Sequence, residues 1–326
     1  MRQLIAAHRI RKGKNMLRSM YSGISGLKNF QTKLDVIGNN ISNVNTYGFK
    51  KGRVTFQDMI SQTVARASES TNTKGGTNAM QVGLGSSISS IDTITTQGNM
   101  QSTGRLLDLA ISGDGYFAVG EANATATATA TATTSTTSNV NNIGYTRSGN
   151  FYLDSKGFLV NSEGKYVLGI AANSTGVVST TAVTSLTGTG SQALYIPTNA
   201  SDMSISSDGT VTFIAGSDGN YNGSTVTAGK LVTAGKIIMA KFSNPGGLLK
   251  EGSNTYQETP NSGSPVYAFS GQSGIGTIES SMLEMSNVDL SEEFTEMIVA
   301  QRAFQANTRI ITTSDEILQE LVNLKR

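Results

Sequence analysis

Apolar residues in the C-terminal part of the chain recur at spacings of three and four, which is the period of one face of a helix. No glycine or proline occurs after Gly276, so nothing in the sequence interrupts a long helix there. The pattern predicts a helix from Leu290 to Lys325, roughly 54 Å long at about 1.5 Å per residue. Its predicted apolar seam is Leu290, Phe294, Met297, Phe304, Ile311, Leu318 and Val322, with polar interruptions at Gln301, Thr308 and Asp315.

The residues that begin this segment are typical of a helix N-terminus. Asp289 is predicted to be the N-cap, and Glu292, three residues later, its capping-box partner. Acidic residues in the first turn and Lys325 and Arg326 at the end suit the helix dipole. Both ends therefore agree with one long terminal helix.

A similar pattern near the start of the chain predicts a second terminal helix, which should end between Asn39 and Asn45. Gly23 and Gly26 each cost about 1 kcal/mol of helix stability relative to alanine, which is reasonable if they let another helix approach closely. Residues 1–15 precede the pattern, and we expect them to be a non-native or disordered extension, with translation starting at Met16. The predicted seam of this helix is Met20, Ile24, Leu27, Leu34 and Ile41.

Between the terminal helices the pattern alternates with a period of two and is broken by turn dipeptides such as Asp114-Gly115 and Asp208-Gly209. The Thr-Ala run of Ala122–Ser138 has no core-forming pattern, and we expect a flexible surface loop. The predicted strands are Ser87–Thr95, Leu106–Ile111, Tyr116–Gly120, Asn150–Leu153, Phe158–Asn161, Tyr166–Ile170, Met203–Ile205, Val211–Ile214, Lys236–Phe242 and Val266–Phe269.

The predicted fold is therefore mainly β, with long N- and C-terminal α-helices that pair as a coiled-coil-like core and β-rich domains inserted between them. We expect a helical core domain from 16–46 with 286–326, an extended linker or β-hairpin region at 47–86, a β-rich body from 87–170 with 231–285, and a small inserted β region at 171–230.

Composition narrows the functional classes. Charged residues make up 15% of the chain, against roughly 25% in an average soluble protein. The net charge is +2 with no basic stripe, so no nucleic-acid partner is expected. No apolar run approaches the roughly 20 residues of a membrane span, so no membrane insertion is expected. The apolar part of the basic stretch 2–14 is too short for a secretory signal.

Candidate chemistry is weak throughout. The chain has no cysteine and one histidine, His8, which leaves a Ser-His-Asp triad or a histidine metal site unsupported. Asp108 and Asp114 could be proposed as paired carboxylates of a glycosidase, but turn and surface roles explain both. The Asp-Gly turns lack calcium-loop spacing, and Gly83-x-Gly85 lacks a third glycine. We expect no catalytic residue, no metal site and no cofactor.

Four segments spread along the chain carry distinctive motifs. They are Met16–Lys50, Gly98–Gly120, Tyr145–Gly169 and Val299–Arg326. The first contains LDVIGNNISNVNTYGFK, the next two contain LLDLAISGDGYF and YTRSGNFYLDSKGF, and the last begins VAQRAFQANTRI. These segments, about a third of the chain, resemble the shared motifs of the bacterial flagellar rod and hook proteins.

This resemblance implies a structural protein whose subunits stack into a helical homopolymer, with the terminal seams as subunit contacts. It implies other axial proteins as partners (rod, hook–filament junction and hook cap) and export by the flagellar export apparatus to the extracellular flagellum without a cleaved signal. Asn244–Thr259 and the wording QANTRIITTSDEIL resemble the hook subunit more than the distal rod subunit, which is the alternative.

Two hypotheses lie outside this family. A secreted β-rich adhesin or a phage tail component also tolerates Thr-Ala tracts, although it does not need a helix at each end. A polysaccharide-processing enzyme would need a convincing pair of acids, and the sequence offers only Asp108 and Asp114.

Overall fold

The computed structural model describes residues 2–72, 74–129, 132–172, 178, 192–221 and 224–323. As predicted, the protein is mainly β with one helix at each end, α1 (Arg2–Ser42) and α2 (Leu290–Asn323). The chain divides into two compact units. Unit 1 contains Met1–Ser42, Lys51–Ile94 and Val288–Arg326, and unit 2 contains Asn43–Lys50 and Thr95–Asn287.

The strands are short and numerous. In chain order they are β1 (Gly52–Asp58), β2 (Ser61–Ala65), β3 (Met80–Gly83), β4 (Ser86–Thr93), β5 (Met100–Ser102), β6 (Leu109–Ser112), β7 (Tyr116–Thr129), β8 (Ala132–Thr146), β9 (Tyr152–Leu153), β10 (Leu159–Val160), β11 (Tyr166–Ala171), β12 (Gln192–Ala193), β13 (Ser201–Ile205), β14 (Thr210–Ile214), β15 (Gly219–Tyr221), β16 (Ser224–Val226), β17 (Leu231–Ile237), β18 (Met239–Lys241), β19 (Leu249–Gly252), β20 (Thr255–Gln257), β21 (Val266–Ala268), β22 (Thr277–Ser280) and β23 (Met282–Glu284).

The two helices of unit 1 pack against each other in antiparallel directions. A Cβ atom at Gly23, near the middle of α1, would lie 3.5 Å from Ile311 in the second half of α2. Towards the other end of the pair, Lys33 Nζ lies 2.5 Å from Glu296 Oε2. Because α1 begins at Arg2, residues 2–15 are helical; whether they belong to the native protein stays a prediction. Neither helix, over its described residues, is long and apolar enough to cross a bilayer.

The start of α2 confirms the predicted N-cap. The Asp289 carboxylate oxygen Oδ1 accepts a hydrogen bond from the Ser291 N–H at 2.8 Å. The predicted capping-box partner behaves differently, because the Glu292 carboxylate accepts from Lys51 Nζ at 2.7 Å. An ion pair with the chain just before β1 thus takes the place of the second half of the box.

Two antiparallel strand pairs complete unit 1. β1 pairs with β4, from Gly52 opposite Thr93 to Asp58 opposite Ser86, and β2 pairs with β3. Phe56 of β1 packs against Phe30 of α1, with ring centroids 5.7 Å apart. β2 and β3 are exposed along their whole length.

Unit 2 is built on a large twisted sheet in which β7 is a central strand. β7 places Phe117 and Val119 in one buried cluster with Leu109, and Ala118 in a second cluster with Tyr145. Alternate residues of a strand point to opposite faces, so this sheet is buried on both faces. The main strand order is β13-β14-β17-β11-β7-β8-β15-β16.

The Thr-Ala run was expected to be a loop, and that prediction is wrong. β7 and β8 continue through it as an antiparallel ladder that reaches Thr129 opposite Ala132, and residues 130–131 lie outside the described residues. Threonine is β-branched and favours strands, and the run contains no glycine or proline to break the ladder. Lack of a core pattern therefore did not mean lack of strand structure.

The other predicted strands agree with the structure in position but not always in extent. The strand expected at Lys236–Phe242 is divided at Ile238 between β17 and β18, and the one expected at Leu106–Ile111 begins only at Leu109. Of the inserted region predicted at 171–230, residues 173–177, 179–191 and 222–223 lie outside the described residues.

Candidate subunit interface

Large apolar side chains are exposed mainly on unit 1, although unit 2 is the larger unit. We call this set the unit 1 surface. Its members extend over both helices and over the β-strands of the unit. They are Tyr21, Ile24, Phe56, Met59, Ile60, Val64, Met80, Val82, Ile91, Leu290, Phe294, Ile298, Val299, Ile310, Ile317 and Val322.

The described side chains of unit 1 form little apolar interior. Among its described side chains, Ile37 and Ala300 are the fully buried apolar ones, at 4% and 0% exposure. The extended clusters of buried apolar residues belong to unit 2. Unit 1 therefore keeps on its surface the kind of side chain that unit 2 buries.

On α1 the buried positions differ from the predicted seam, and three of them lie one residue before a predicted seam residue. Met20, Leu27, Leu34 and Ile41 are half-buried, and Ile24 is 49% exposed. The fully buried positions are Gly23, Gly26, Asn29, Ile37 and Asn40. Glycine allows the closest approach of another backbone, so neighbouring elements contact α1 beside the bulky residues rather than on top of them.

On α2 the predicted seam combines two registers. The seam residues that recur every seven positions, from Met297 to Leu318, are half-buried, whereas Leu290, Phe294 and Val322 are exposed. Four further covered positions lie one residue before Phe294 and before the polar interruptions at 301, 308 and 315; they are Glu293, Ala300, Asn307 and Ser314. The sequence did contain a signal for the exposed side of α2, because the polar residues at 301, 308 and 315 marked positions that face solvent. The half-buried series is Met297, Phe304, Ile311 and Leu318.

Two buried asparagines tie α1 to the strands of unit 1. Asn29 Nδ2 donates to the Ser86 carbonyl oxygen at 2.8 Å, at the start of β4. Asn40 Nδ2 donates to the Gly52 carbonyl oxygen at 2.9 Å, at the start of β1, and to Glu293 Oε2 at 3.1 Å. The sequence indicated Asn40 only as part of the helix exit expected at Asn39 to Asn45 and gave Asn29 no role, because nothing local indicates their distant partners.

A cavity of about 280 Å³ lies beside Asn40, within unit 1. Cationic and anionic side chains both line it, and the pairs among them are close. Lys51 Nζ lies 2.7 Å from Glu292 Oε2 and 3.9 Å from Glu293 Oε1. The charges of the lining therefore largely compensate one another.

Unit 2 contains a buried ionic cluster that sequence reasoning missed. Lys50 Nζ and Arg147 Nε lie 2.7 and 2.5 Å from the two carboxylate oxygens of Glu284, and all three side chains are at most 5% exposed. Burial alone would raise the pKa of Glu284, but Arg147 and Lys50 outweigh it and hold that pKa below its ordinary value. The Gly98 N–H also donates to this carboxylate, at 2.9 Å.

The two aspartates considered for glycoside hydrolysis lie in different surroundings. Asp108 is 5% exposed and lies 3.3 Å from Arg105, whereas the side chain of Asp114 is 79% exposed and lies 3.5 Å from Lys241. Within the described part of the chain, no group of three or more His, Asp or Glu residues could hold a metal ion. The unit 1 surface is therefore the strongest candidate functional feature.

Family models match three parts of the chain. A model described as "Flagella basal body rod protein" matches residues 20–50. Another, "Flagellar hook protein FlgE/F/G D1 domain", matches residues 135–213. A third, "Flagellar basal body rod FlgEFG protein C-terminal", matches residues 279–324.

Full-length relatives give the same result. The chain is 53% identical to the flagellar basal-body rod protein FlgG of Bacillus subtilis, over 95% of this chain and 100% of that protein. It is 34% identical to the flagellar hook protein FlgE of Borreliella burgdorferi, again over 95% and 100%. It is also 34% identical to FlgG of the same Borreliella, with the same coverage.

Proposed function

Because the chain belongs to the family of flagellar hook and basal-body rod proteins, we propose that it is a structural subunit of the flagellar hook that polymerises through the unit 1 surface. The family is structural and not enzymatic. The chain is accordingly a flagellar axial protein that assembles with rod and hook components.

The concentration of exposed apolar side chains on unit 1 carries the proposal. Ile60, Val64 and Met80 are 83, 62 and 64% exposed around the β2–β3 pair, and Ile298 and Val299 are 53 and 57% exposed on α2. Exposed large apolar side chains that are concentrated on one part of a soluble protein are typical of an interaction site. A second copy of the chain offers the same kind of surface and can cover it.

Assembly would also add to the stability of unit 1. An isolated helix depends mainly on intrinsic propensity, and a lone two-stranded pair is marginally stable in water. Fully burying one large aliphatic side chain contributes about 1.5–3 kcal/mol. Covering several members of the unit 1 surface would therefore favour the polymer strongly. A coiled-coil-like arrangement of the seams of α1 and α2 belongs to this proposal.

The hook is our first choice within the axis, on the wording of Asn244–Thr259 and of residues 305–318. A hook protein is also among the full-length relatives. The distal rod is the second candidate, and the 53% identity to a protein named as a rod protein favours it. Both places use the same self-assembling unit, so the choice between them is one of position in the flagellum.

The remaining parts of the proposal concern export and partners. We propose that the subunit passes unfolded through the flagellar export apparatus, without a cleaved secretory signal, and is added to the growing axis outside the cell. Its neighbours there would be copies of itself, rod proteins, the hook cap and the hook–filament junction. Deleting the export apparatus should leave the protein inside the cell, which fractionation would detect.

The polymer contact can be tested with a charge on the unit 1 surface. Ile298→Asp should block sedimentable polymer while leaving the thermal unfolding of the monomer nearly unchanged, because the residue is already 53% exposed. Leu231→Asp, at a residue of unit 2 that is 65% exposed, is the matched control. Normal polymer from Ile298→Asp, together with loss of polymer in the control, would exclude unit 1 as the main contact.

Immunogold labelling of flagellated cells separates the two positions. Label on a short curved segment outside the cell supports the hook. Label confined to the basal body supports the distal rod and overturns our first choice. Label absent from the flagellum altogether would contradict both positions.

A further inference from the structure

The side chain of Asn40 joins separate elements of unit 1. It is 1% exposed, its Oδ1 accepts from the Gly52 N–H at 2.9 Å, and its Nδ2 donates to the Gly52 carbonyl oxygen at 2.9 Å and to Glu293 Oε2 at 3.1 Å. The end of α1, the start of β1 and the first turn of α2 therefore meet at one amide. We call Asn40, Gly52 and Glu293 the Asn40 clasp.

The clasp requires the chemistry of an asparagine. Its amide supplies a donor and an acceptor together, whereas an aspartate has no N–H donor and would face the Glu293 carboxylate. An apolar residue would leave the 6% exposed Glu293 without this donor. Gly52 contributes by its small size, because a Cβ there would lie 3.2 Å from Val36 Cγ1.

The rest of the helix contact does not by itself determine which residues face each other. The half-buried apolar residues of α2 repeat every seven residues, from Met297 through Phe304 and Ile311 to Leu318. A slide of α2 by seven residues would bring a similar side chain to each position. Apolar burial therefore distinguishes the two registers only weakly.

The clasp distinguishes them strongly. A seven-residue slide moves Glu293 by about 10 Å along the helix axis, which separates it from Asn40. One N–H of the buried Asn40 amide and the buried Glu293 Oε2 would then lose the hydrogen bond between them, which is costly for buried polar groups. A single buried polar residue is a known way to specify the register of paired helices.

We propose that the Asn40 clasp sets the register in which the two terminal helices pair. The ion pairs Lys33–Glu296 and Lys51–Glu292 agree with this register. They are partly exposed, so they contribute less. The inference applies equally to a hook subunit and to a rod subunit.

Distances between spin labels on the two helices report the register directly. The chain has no cysteine, so Gln31→Cys on α1 and Gln305→Cys on α2, both at exposed positions, give two unique labelling sites in the full-length protein. Pulsed electron paramagnetic resonance should give a single distance in the otherwise native chain. A seven-residue slide would change that distance by up to about 10 Å.

Asn40→Asp is the decisive variant. At pH 8 it places two carboxylates together, and the ratio of native to shifted distances should fall by about tenfold or more. At pH 5 the two carboxyls can share a proton, and the native distance should return. Adding Glu293→Gln to the Asn40→Asp variant should restore the native distance at pH 8. The same cavity is lined by other charged residues, Lys33, Lys51, Arg53, Glu292 and Glu296. Comparing the rescue at pH 5 with the rescue by Glu293→Gln separates the effect of residues 40 and 293 from the effect of those charges.

Lys28→Gln is the matched control, because it makes the same change in net charge at an exposed position of α1. It should keep the native distance at both pH values. A single native distance in Asn40→Asp at pH 8 would overturn the proposal. So would a broad distribution with loss of helical circular dichroism, because the clasp would then only stabilise pairing without selecting its register.

Discussion

A Cβ atom at Gly26 of α1 would lie 2.7 Å from Nδ2 of Asn307 in α2. Non-bonded atoms do not approach so closely, so the Asn307 side chain has to move when residue 26 gains a methyl group. Gly38, on the same helix, has no atom within 4 Å of its corresponding Cβ position. One glycine therefore allows a helix contact, and the other provides only backbone freedom.

Alanine substitutions should separate these two roles. Gly38→Ala should raise the free energy of unfolding by about 1 kcal/mol, because alanine favours helix and meets nothing there. Gly26→Ala should gain less than that or lose stability, and shortening its neighbour with Asn307→Ala should recover the difference. Urea unfolding followed by circular dichroism at 222 nm measures both. Equal effects at the two glycines would contradict the close contact.

Glu284→Gln should destabilise unit 2 severely. It removes the anion between Lys50 and Arg147 and leaves two buried cations facing a neutral amide, which typically costs about 3–5 kcal/mol. Glu258→Gln, at an exposed position, is the matched control and should stay within about 0.5 kcal/mol of wild type. Chemical unfolding monitored by near-ultraviolet tyrosine signals gives both values. A small effect of Glu284→Gln would mean that the cluster is not ionised.

The same carboxyl group predicts sensitivity to acid. The pKa of Glu284 is lowered in the folded state, so its contribution is present above the ordinary carboxyl pKa and is lost as the pH falls through the lowered value. The free energy of unfolding should therefore decrease steadily on acidification below about pH 4. In Glu284→Gln this decrease should be shallower. An identical slope in both proteins would assign the acid sensitivity to other carboxyl groups.

The tyrosines of unit 2 predict a second limit at high pH. Burial raises the pKa of Tyr116 to about 12, although the positive charge of Arg147 acts to lower that pKa. A raised folded pKa means that stability is complete below the unfolded value and is lost as the pH rises through the folded one. The protein should therefore lose stability between about pH 10 and 12. Absorbance at 295 nm would follow ionisation, and Tyr116→Phe should reduce the loss.

Deletion of Ala122–Ser138 should leave the body of unit 2 folded and assembly intact. Buried rungs of the β7–β8 ladder remain after the deletion, such as Phe117 opposite Thr146 and Ala118 opposite Tyr145. β15 would lose its pairing with β8 at Thr133, so a local change is expected there. Unfolding of unit 2 in the deletion variant, seen by circular dichroism, would show that the run is needed for the fold.

Sequence reasoning succeeded where a residue and its partner are close along the chain. The Asp289 cap bonds to a backbone N–H two residues away, and the short strands follow local alternation and turn signals. The mainly β fold with a helix at each end could therefore be predicted. The Thr-Ala run shows the limit of this approach, because its strand propensity was visible while its pairing was not.

Sequence reasoning failed where the partner is remote. Lys50 and Glu284 are 234 residues apart, and Asn40 and Glu293 are 253 residues apart. No local period links such positions, so neither the ionic cluster nor the clasp could be expected. The helix seams show a related failure, because periodicity identified apolar residues without identifying the small residues, such as Gly26, at which helices approach.

The Thr-Ala ladder has a consequence for how this protein can change in length. The sequence repeats every two residues from Ala124 to Thr133, and so does the alternation of side chains along a β-strand. Inserting one Thr-Ala pair into each of β7 and β8 would add two rungs beyond Glu121 and leave every rung nearer the core unchanged. Single-residue insertions would instead shift the register and turn each following side chain to the opposite face. Insertions or deletions in this hairpin should therefore be tolerated when they change β7 and β8 by two residues each. The tract can then lengthen or shorten without a change in the body of unit 2.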